Sequence, residues 1–392
     1  MAAGGQLKVL HVVDTLGMGG AETWLMEVLR LWSRTGAASM DFLATSGERG
    51  VFDDEARELG ARIHYLRYSR SNMPRFTRRF REILRRGNYA AIHDHQDYAS
   101  GWHFLLAGGA LPKIRVTHVH NPAYQIRAHY GTTPLRRLTA RIGKQLIARY
   151  ATQITGTSRQ VLHEYGFDDT VFAHIPMRAL HCGIDTARFA VDRDLSRAAI
   201  CGELGCPVDS LIVLFAGRID RSPDPADPQA HKNSAFAVSV AIELALRERR
   251  AQVMFAGSQS PAVPILQRRI ADAGLGDRIR FLGMRRDMNL LMAASDALLF
   301  PSRGEGLGMV AVEAQAAGLP VLASSVVPRE CVVVPELVRF RNVAAGPEQW
   351  ATDLLELAPQ RPNRVAANRL VAESPFSIGH SSDALLSLYG RD

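Results

Sequence analysis

The chain reads as an α/β protein made of two consecutive doubly wound domains, and three observations predict this. Short apolar runs alternate with amphipathic segments along almost the whole sequence. The rhythm halts between residues 177 and 188 and then starts again. The length, 392 residues with 47% hydrophobic and 22% charged, is enough for two cores and far from the polar composition of a disordered chain.

In the first half the predicted strands are Leu7–Val13, Asp41–Ala44, Arg62–Leu66, Ala90–His93, Ile114–Val119 and Gln153–Thr157. Helical spacing lies between most of them, clearest over Ala21–Trp32 and Leu135–Tyr150. In the second half the strands are Leu211–Ala216, Gln252–Ala256, Arg280–Leu282, Ala297–Phe300 and Pro320–Ala323. Helices Ser234–Arg249, Val263–Ala273 and Val310–Ala317 separate them, and Ser377–Tyr389 reads as a last helix returning to the first domain. The resulting division is two Rossmann-like domains, 1–180 and 181–375, with a C-terminal helix in 376–392. Ligands of such domains sit outside the carboxyl ends of the strands, so a cleft between the two is the expected site.

Several classes are excluded. No uncharged apolar stretch reaches the roughly 18 to 20 residues of a spanning helix. The N-terminus lacks the basic-then-apolar pattern of a signal peptide. Cys182, Cys201, Cys206 and Cys331 form no zinc-finger spacing and are too few for a disulfide scaffold, so reduced thiols in a cytoplasmic protein are expected. The net charge of +8 is lopsided. Residues 1–180 hold 24 Lys plus Arg against 15 Asp plus Glu, a net of +9, whereas 181–392 hold 23 against 24, a net of −1. Much of the excess lies between Arg62 and Arg86, with nine Arg and one Glu. Phe76, Phe80, Ile83 and Leu84 recur there at helical spacing among Arg75, Arg78, Arg79, Arg81, Arg85 and Arg86. The pattern fits a basic amphipathic helix on an anionic membrane, and equally the solvated face of a packed helix. Its aromatics sit at core-like spacing, so nucleic acid is not the expected partner.

Four strand-end loops can carry chemistry. Asp14-Thr-Leu-Gly-Met-Gly-Gly-Ala-Glu22 is a glycine-rich turn opening a helix, suited to an anion, though without the dinucleotide G-x-G-x-x-G spacing. His93-Asp-His95 and Thr117-His-Val-His120 place histidines at successive strand ends, able to donate to a substrate oxygen or simply to be bonded structurally. Arg218 ends a strand and Lys232, the one lysine of the second half, opens a helix; together they suit a pyrophosphate. In Pro301-Ser-Arg-Gly-Glu-Gly-Leu-Gly308 a strand runs into a glycine-rich turn and a helix start. Glu305 sits at the turn and Glu313 about 12 Å further along the helix axis.

In this order and spacing the chain resembles the GT-B glycosyltransferases of family 4, particularly the bacterial exopolysaccharide and capsule type. The resemblance runs from Gly-Gly-Ala-Glu at 19–22, His-x-His at 93–95, Val-His-Asn at 119–121 and Gly-Thr-Ser at 156–158 through Cys-Gly-Ile-Asp at 182–185, Ala-Gly-Arg at 216–218 and His-Lys-Asn at 231–233. Its most specific part is Phe281-Leu-Gly, Asp296, Pro301-Ser, Glu305-Gly-Leu and Glu313-Ala-Gln-Ala-Ala-Gly-Leu-Pro-Val321. It implies two Rossmann-like domains facing a central cleft, the N-terminal one binding acceptor and the C-terminal one a nucleotide-sugar. The implied reaction is metal-independent sugar transfer with retention, without a cofactor. By the same resemblance Arg218 and Lys232 bind the donor diphosphate, with Gly19 and Gly20 approaching it. Glu313 takes the ribose, and Glu305 holds the sugar beside the Gly306 and Leu307 backbone. His120 lies near the reacting carbon, and Met284 and Arg285 border the base. UDP-sugars are the favoured donors, moving a hexosyl or N-acetylhexosaminyl group to a glycan or polyprenyl-diphosphate-linked acceptor. The protein is expected in the cytoplasm, peripheral on the inner face of the cell membrane through Arg75, Arg78, Arg79, Arg85 and Arg86. Two departures stand out: Ala256-Gly-Ser-Gln259 replaces a Gly-x-Gly, and an insertion, Ser222 to Ala230, lengthens the loop between Arg218 and Lys232. Competing readings are a nucleotide-sugar epimerase on the same architecture and a non-enzymatic membrane binder built on Arg62–Arg86.

Overall fold

A computed structural model describes residues 7–131, 133–224, 227, 230–360 and 363–390. The chain divides into two compact units, Met1–Ile184 with Ile378–Asp392, and Asp185–Ser377.

The first unit holds strands β1 (Lys8–Val13), β2 (Ser39–Ala44), β3 (Ile63–Tyr65), β4 (Ala91–Asp94), β5 (Ile114–Val119), β6 (Gln153–Gly156) and β7 (Met177–Ala179). They form one parallel sheet in the order β3-β2-β1-β4-β5-β6-β7. The second unit holds β8 (Leu211–Ala216), β9 (Ala251–Ala256), β10 (Ile279–Gly283), β11 (Ala297–Phe300), β12 (Val321–Ser324) and β13 (Val338–Arg341), also all parallel, in the order β10-β9-β8-β11-β12-β13. Both orders follow the doubly wound pattern, in which the chain steps outward one way and then returns to the middle. The reversal points, β1/β4 and β8/β11, are where loops diverge and leave a crevice.

The central strands are buried on both faces because helices cover both, and in the first unit one of those faces carries histidines. In the first unit Leu10, Val12, Ile92, Val119 and Ile154 pack with Phe76, Phe80, Phe104 and Ile147. In the second, Val213, Phe215, Val253, Phe255 and Leu299 pack with Val240, Leu244, Leu266 and Trp350. The C-terminal helix Ile378–Leu388 belongs to the first unit through specific bonds. Trp24 Nε1 and Trp32 Nε1, both on the Gly20–Thr35 helix, donate to Ser381 Oγ and Ser382 Oγ at 2.8 and 2.7 Å. Gln153 Nε2 donates to the Leu388 carbonyl at 2.9 Å.

Sequence periodicity misses two strands, β7 and β13. They are edge strands of three and four residues, and no residue of either is fully buried, so the apolar signal is weak. The arginine-rich helix runs Met73–Gly87 and packs as part of the first unit. Phe76, Phe80 and Leu84 are buried in the core and Ile83 packs against it, so the apolar stripe is already covered by protein. Arg75, Arg78, Arg79, Arg85 and Arg86 are exposed, with Glu82 pairing Arg79 and Arg86 at 2.8 and 2.9 Å. What remains outside is a charged face. Among the described residues no helix is long and apolar enough to cross a membrane. All four cysteines are free.

Candidate active site

The crevice of the second unit lies at the ends of β8 and β11. β8 runs into Gly217, whose N–H donates to the Ala256 carbonyl at 2.9 Å, and then into Arg218, an exposed side chain. Gly257 must be glycine: a Cβ there would sit 1.8 Å from the Gly217 carbonyl oxygen. This close crossing of two backbones holds the end of β8, and it is the use the sequence makes of the glycine it retains at 256–259.

Across the lengthened loop, Lys232 returns half-buried, and its Nζ meets Glu305 Oε1 at 2.6 Å. The pair joins the loop after β8 to the loop after β11. Arg303 N donates to the His231 carbonyl at 2.9 Å, and Asn233 Nδ2 to the Pro301 carbonyl at 3.2 Å, so the two loops are stitched along their length. Asn233 itself is left-handed, φ 57°, a conformation asparagine tolerates, and it starts the Ser234–Arg247 helix.

Asp220, buried at 2% exposure, explains why the insertion does not displace Lys232. Its carboxylate accepts from Lys232 N at 3.0 Å, Ser234 N at 2.8 Å and Ser234 Oγ at 3.0 Å, closing the neck of the loop. Beyond that neck Ala230 is buried and the Asp227 carbonyl accepts from Arg303 Nη1 at 3.4 Å; residues 225, 226, 228 and 229 lie outside the described residues. Asp220 carries no sequence signature beyond its place near Arg218.

Past β11, Gly304-Glu-Gly-Leu-Gly308 turns into the Met309–Ala316 helix. Gly308 has φ 95°, which only glycine adopts without strain, and a Cβ would press Val327 at 3.0 Å. The Leu307 side chain is core at 3% exposure, so a ligand could meet only its backbone. Glu313 stands half-buried in the second turn of the helix. Met284 and Arg285 follow β10, the edge strand, two strands away from β8. Met284 is 60% exposed. Arg285 is occupied: Glu203 takes it at 2.5 and 3.0 Å and Asp287 at 2.8 and 2.7 Å. Those bonds hold its guanidinium firmly in the charged form.

The first unit's crevice, at β1/β4, has different chemistry. The loop after β1 ends at Gly19, the extended N-cap of the Gly20–Thr35 helix. Beside it five histidines lie on one sheet face. His11 on β1 is paired in register with His93 on β4, and strand alternation adds His95, His118 and His120 to the same side. Their rings stack, His93 on His95 at 4.4 Å and His118 on His120 at 4.0 Å. They also bond nitrogen to nitrogen: His11 Nδ1 to His95 Nε2 at 3.0 Å, His95 Nδ1 to His120 Nε2 at 2.8 Å, and His93 Nε2 to His118 Nδ1 at 3.1 Å. His93 Nδ1 meets Tyr389 Oη of the C-terminal segment at 2.5 Å.

Burial keeps all five neutral. It lowers His11 and His120 to about 3 and the other three well below the usual imidazole range. His120 thus lies at the open end of a ladder whose other members are inside. Sequence reasoning picked out His120 and missed His11, although the alternation His11/His93/His95 was the available signal. It also missed Asp97, left-handed at φ 49°, which accepts from Tyr165 Oη at 2.6 Å and Asn121 Nδ2 at 3.0 Å. Burial raises its carboxyl to about 6.

Similarity to known proteins agrees with this architecture. Residues 18–188 match the model of Glycosyltransferase Family 4, and residues 211–359 that of Glycosyl transferases group 1. The putative glycosyltransferase EpsF of Bacillus subtilis is 28% identical over 390 residues, covering 98% of this chain and 96% of its own length. A D-inositol 3-phosphate glycosyltransferase of Saccharomonospora viridis is 30% identical over 315 residues, 77% of this chain and 70% of its own. Among solved structures, HepE of Anabaena in complex with UDP and glucose superposes with a TM-score of 0.77 at 16% identity, over 98% of this chain and 100% of its own. With its two parallel sheets, its C-terminal helix in the first unit and these matches, the chain belongs to the family 4 glycosyltransferases of GT-B fold.

Proposed function

We propose that this glycosyltransferase moves a hexosyl or N-acetylhexosaminyl group from a nucleotide-sugar, with a UDP-sugar favoured, to an acceptor with retention of configuration and without a metal ion. The observation that carries the reading is the Lys232–Glu305 pair beside Arg218 at the β8/β11 reversal. It supplies a cation for a diphosphate and a carboxylate for sugar hydroxyls, 2.6 Å apart before any ligand arrives.

In the reaction the bond from the anomeric carbon to the diphosphate oxygen breaks and a bond to the acceptor oxygen forms. The acceptor's proton leaves with the nucleoside diphosphate. Negative charge grows on the departing oxygen, and Arg218 and Lys232 stabilise it, one as a fork and one as a point charge. Glu305, released from Lys232, accepts from the sugar hydroxyls beside the Gly306 and Leu307 backbone; Glu313 takes the ribose. Met284 borders the base. Arg285 acts there through its backbone or by holding the loop, since its guanidinium is already engaged. Gly19 and Gly20 approach the diphosphate, and neutral His120 serves as a hydrogen-bond partner near the reacting carbon. It is not a cationic acid. The acceptor is a glycan or polyprenyl-diphosphate-linked sugar of a surface polysaccharide, reached at the inner face of the membrane through Arg75, Arg78, Arg79, Arg85 and Arg86. The exposed arginine face supports the membrane part of that reading, and the UDP-bound structural relative supports the uridine donor.

A thermal-shift panel of UDP, GDP, ADP, CMP and their sugar conjugates tests it. Ligand at about 100 times its dissociation constant stabilises by roughly 2.7 kcal/mol. The expected outcome is a shift with uridine compounds that Lys232→Ala abolishes. No shift with any of them overturns the reading. Interconversion of the donor sugar without acceptor replaces it by an epimerase.

A further inference from the structure

The histidine ladder has two ends, and their difference fixes more than orientation. At the inner end His11 Nε2 is buried and meets no hydrogen-bond partner among the described residues. At the outer end stands half-buried His120. Every ring between them is neutral, and a neutral imidazole carries one N–H and one lone pair. A chain of such rings joined nitrogen to nitrogen therefore has only two proton arrangements, because each ring that accepts on one nitrogen donates from the other.

If the protons point inward, His120 Nε2–H donates to His95 and His95 Nε2–H to His11. His11 is then left with an N–H buried against no acceptor. If they point outward, His11 Nδ1–H donates to His95 Nε2 and His95 Nδ1–H to His120 Nε2, and the orphan at His11 is a bare lone pair. Buried N–H groups without acceptors are the rarer and costlier defect, so the outward arrangement wins. The second chain, Tyr389–His93–His118, ends likewise on a buried orphan, His118 Nε2. Phe42 and the stacked ring of His93 flank His11 and offer no acceptor in place of the missing one.

We propose that His95, held on its inner side by His11, is a positioning residue that fixes His120 as its Nδ1–H tautomer, so that it presents a donor rather than a lone pair to the substrate. The last clause rests on the glycosyl-transfer reading; the tautomer itself does not.

A metal is the competing use of the same rings, since His11, His93 and His95, and again His95, His118 and His120, bring ligand nitrogens within 4.8 Å. A tetrahedral zinc with nitrogens at about 2.0–2.1 Å holds them about 3.3 Å apart. The contacts of 2.8 and 3.0 Å in the His11–His95–His120 chain are hydrogen-bond lengths instead. Metal-bound histidines also turn their second nitrogen to a carboxylate or carbonyl, whereas His95 turns both of its nitrogens to other histidines.

Long-range proton–nitrogen correlation spectra of the full chain labelled in histidine decide the matter without substrate, with His120 assigned by its loss in His120→Asn. The wild type should show Nδ1 protonated and Nε2 bare. His95→Phe keeps the stacked ring and removes the donor to His120, so His120 should shift to a mixture of tautomers. His95→Gln restores an N–H donor and should restore the single form. His11→Phe leaves His95 Nε2 as the buried nitrogen without an acceptor, so the same preference should keep His120 in its single form. A protonated Nε2 in the wild type, an unchanged tautomer in folded His95→Phe, or one equivalent of bound zinc shifting these rings overturns the proposal. If His95→Phe does not fold, the wild-type spectrum alone decides. Loss of uridine binding in the thermal panel, by contrast, touches only the glycosyl-transfer reading.

Discussion

The two crevices occupy the same place in two copies of one topology and are lined by opposite chemistry. At β8/β11 the groups are charged, and the Lys232 and Glu305 side chains keep 26% and 12% of their surface in solvent. Partial hydration lowers the cost of holding charges ready for an anion. At β1/β4 five titratable rings are held neutral by burial, and they can offer only dipolar hydrogen bonds. The difference teaches that strand order fixes where a ligand goes, and that burial decides whether the groups there meet it as charges or as neutral donors.

Acid should break this comparison most strongly. A histidine whose folded pKa lies below its unfolded value binds its proton better in the unfolded chain. Its contribution is complete above about pH 6.5 and is lost as pH falls toward the folded value. Each ladder histidine should cost about 1.4 kcal/mol for each pH unit below 6.5 while its ring stays neutral, and for His11 and His120 that loss runs on until their folded value of about 3 is approached. Hydrogen exchange, corrected for intrinsic rates, should show β1, β4 and β5 losing protection between pH 7 and 5.5 while β8 and β11 lose far less. Equal loss in both units contradicts the assignment.

How much of this was legible in the sequence follows the same divide. Long, regularly patterned elements could be read: β1, β5, β8 and β11 fall within a residue or two of expectation, because their buried runs are continuous. The short edge strands β7 and β13 could not, although β3, at the opposite edge of the first sheet, was read within a residue. Glu305 and Lys232 stood out by type and place, and the structure does join them. Asp220 did not, because its role is to bond a backbone that lies twelve residues away in sequence, across the insertion. Arg285 shows the reverse case. A motif position gave it a base-side role, while Glu203, 82 residues away, holds its guanidinium. The arginine helix was ambiguous because packed and membrane-bound amphipathic helices share one pattern, and only the burial of Phe76 and Phe80 separates them.

Glycine substitutions sharpen the comparison at lower energy. A Cβ at Gly257 collides with backbone, so Gly257→Ala must part the ends of β8 and β9 and move Gly217 and Arg218. The expected cost is about 1–3 kcal/mol by denaturant unfolding, with weakened uridine binding. At Gly20 a Cβ meets nothing within 4 Å, so Gly20→Ala should change stability by less than about 0.5 kcal/mol. If Gly20→Ala nevertheless loses transfer activity, the backbone there is being used by substrate. A stable, active Gly257→Ala would show that the crossing does not hold the site.

The smallest effect runs against the histidines. Asp97 sits just past β4, and burial, with the nearby charge of Asp94 adding to it, raises its carboxyl to about 6 despite bonds from Tyr165 and Asn121. A raised acid binds its proton better in the folded chain. Its contribution therefore falls as pH rises from about 3.8 through 6, and above that the penalty is constant. It offsets one histidine of the ladder over the window in which they titrate. Asp97→Asn keeps a residue that tolerates the left-handed φ of 49° and can still bond Tyr165. It should be more stable than wild type by about 1 kcal/mol at pH 7.5, after discounting for partial exposure, and equal to it below pH 4. Between those limits the variant should lose stability more steeply with acid than the wild type does, because the one opposing titration has been removed. Parallel profiles would mean that Asp97 is ionised alike in both states and that burial does not govern this end of the sheet.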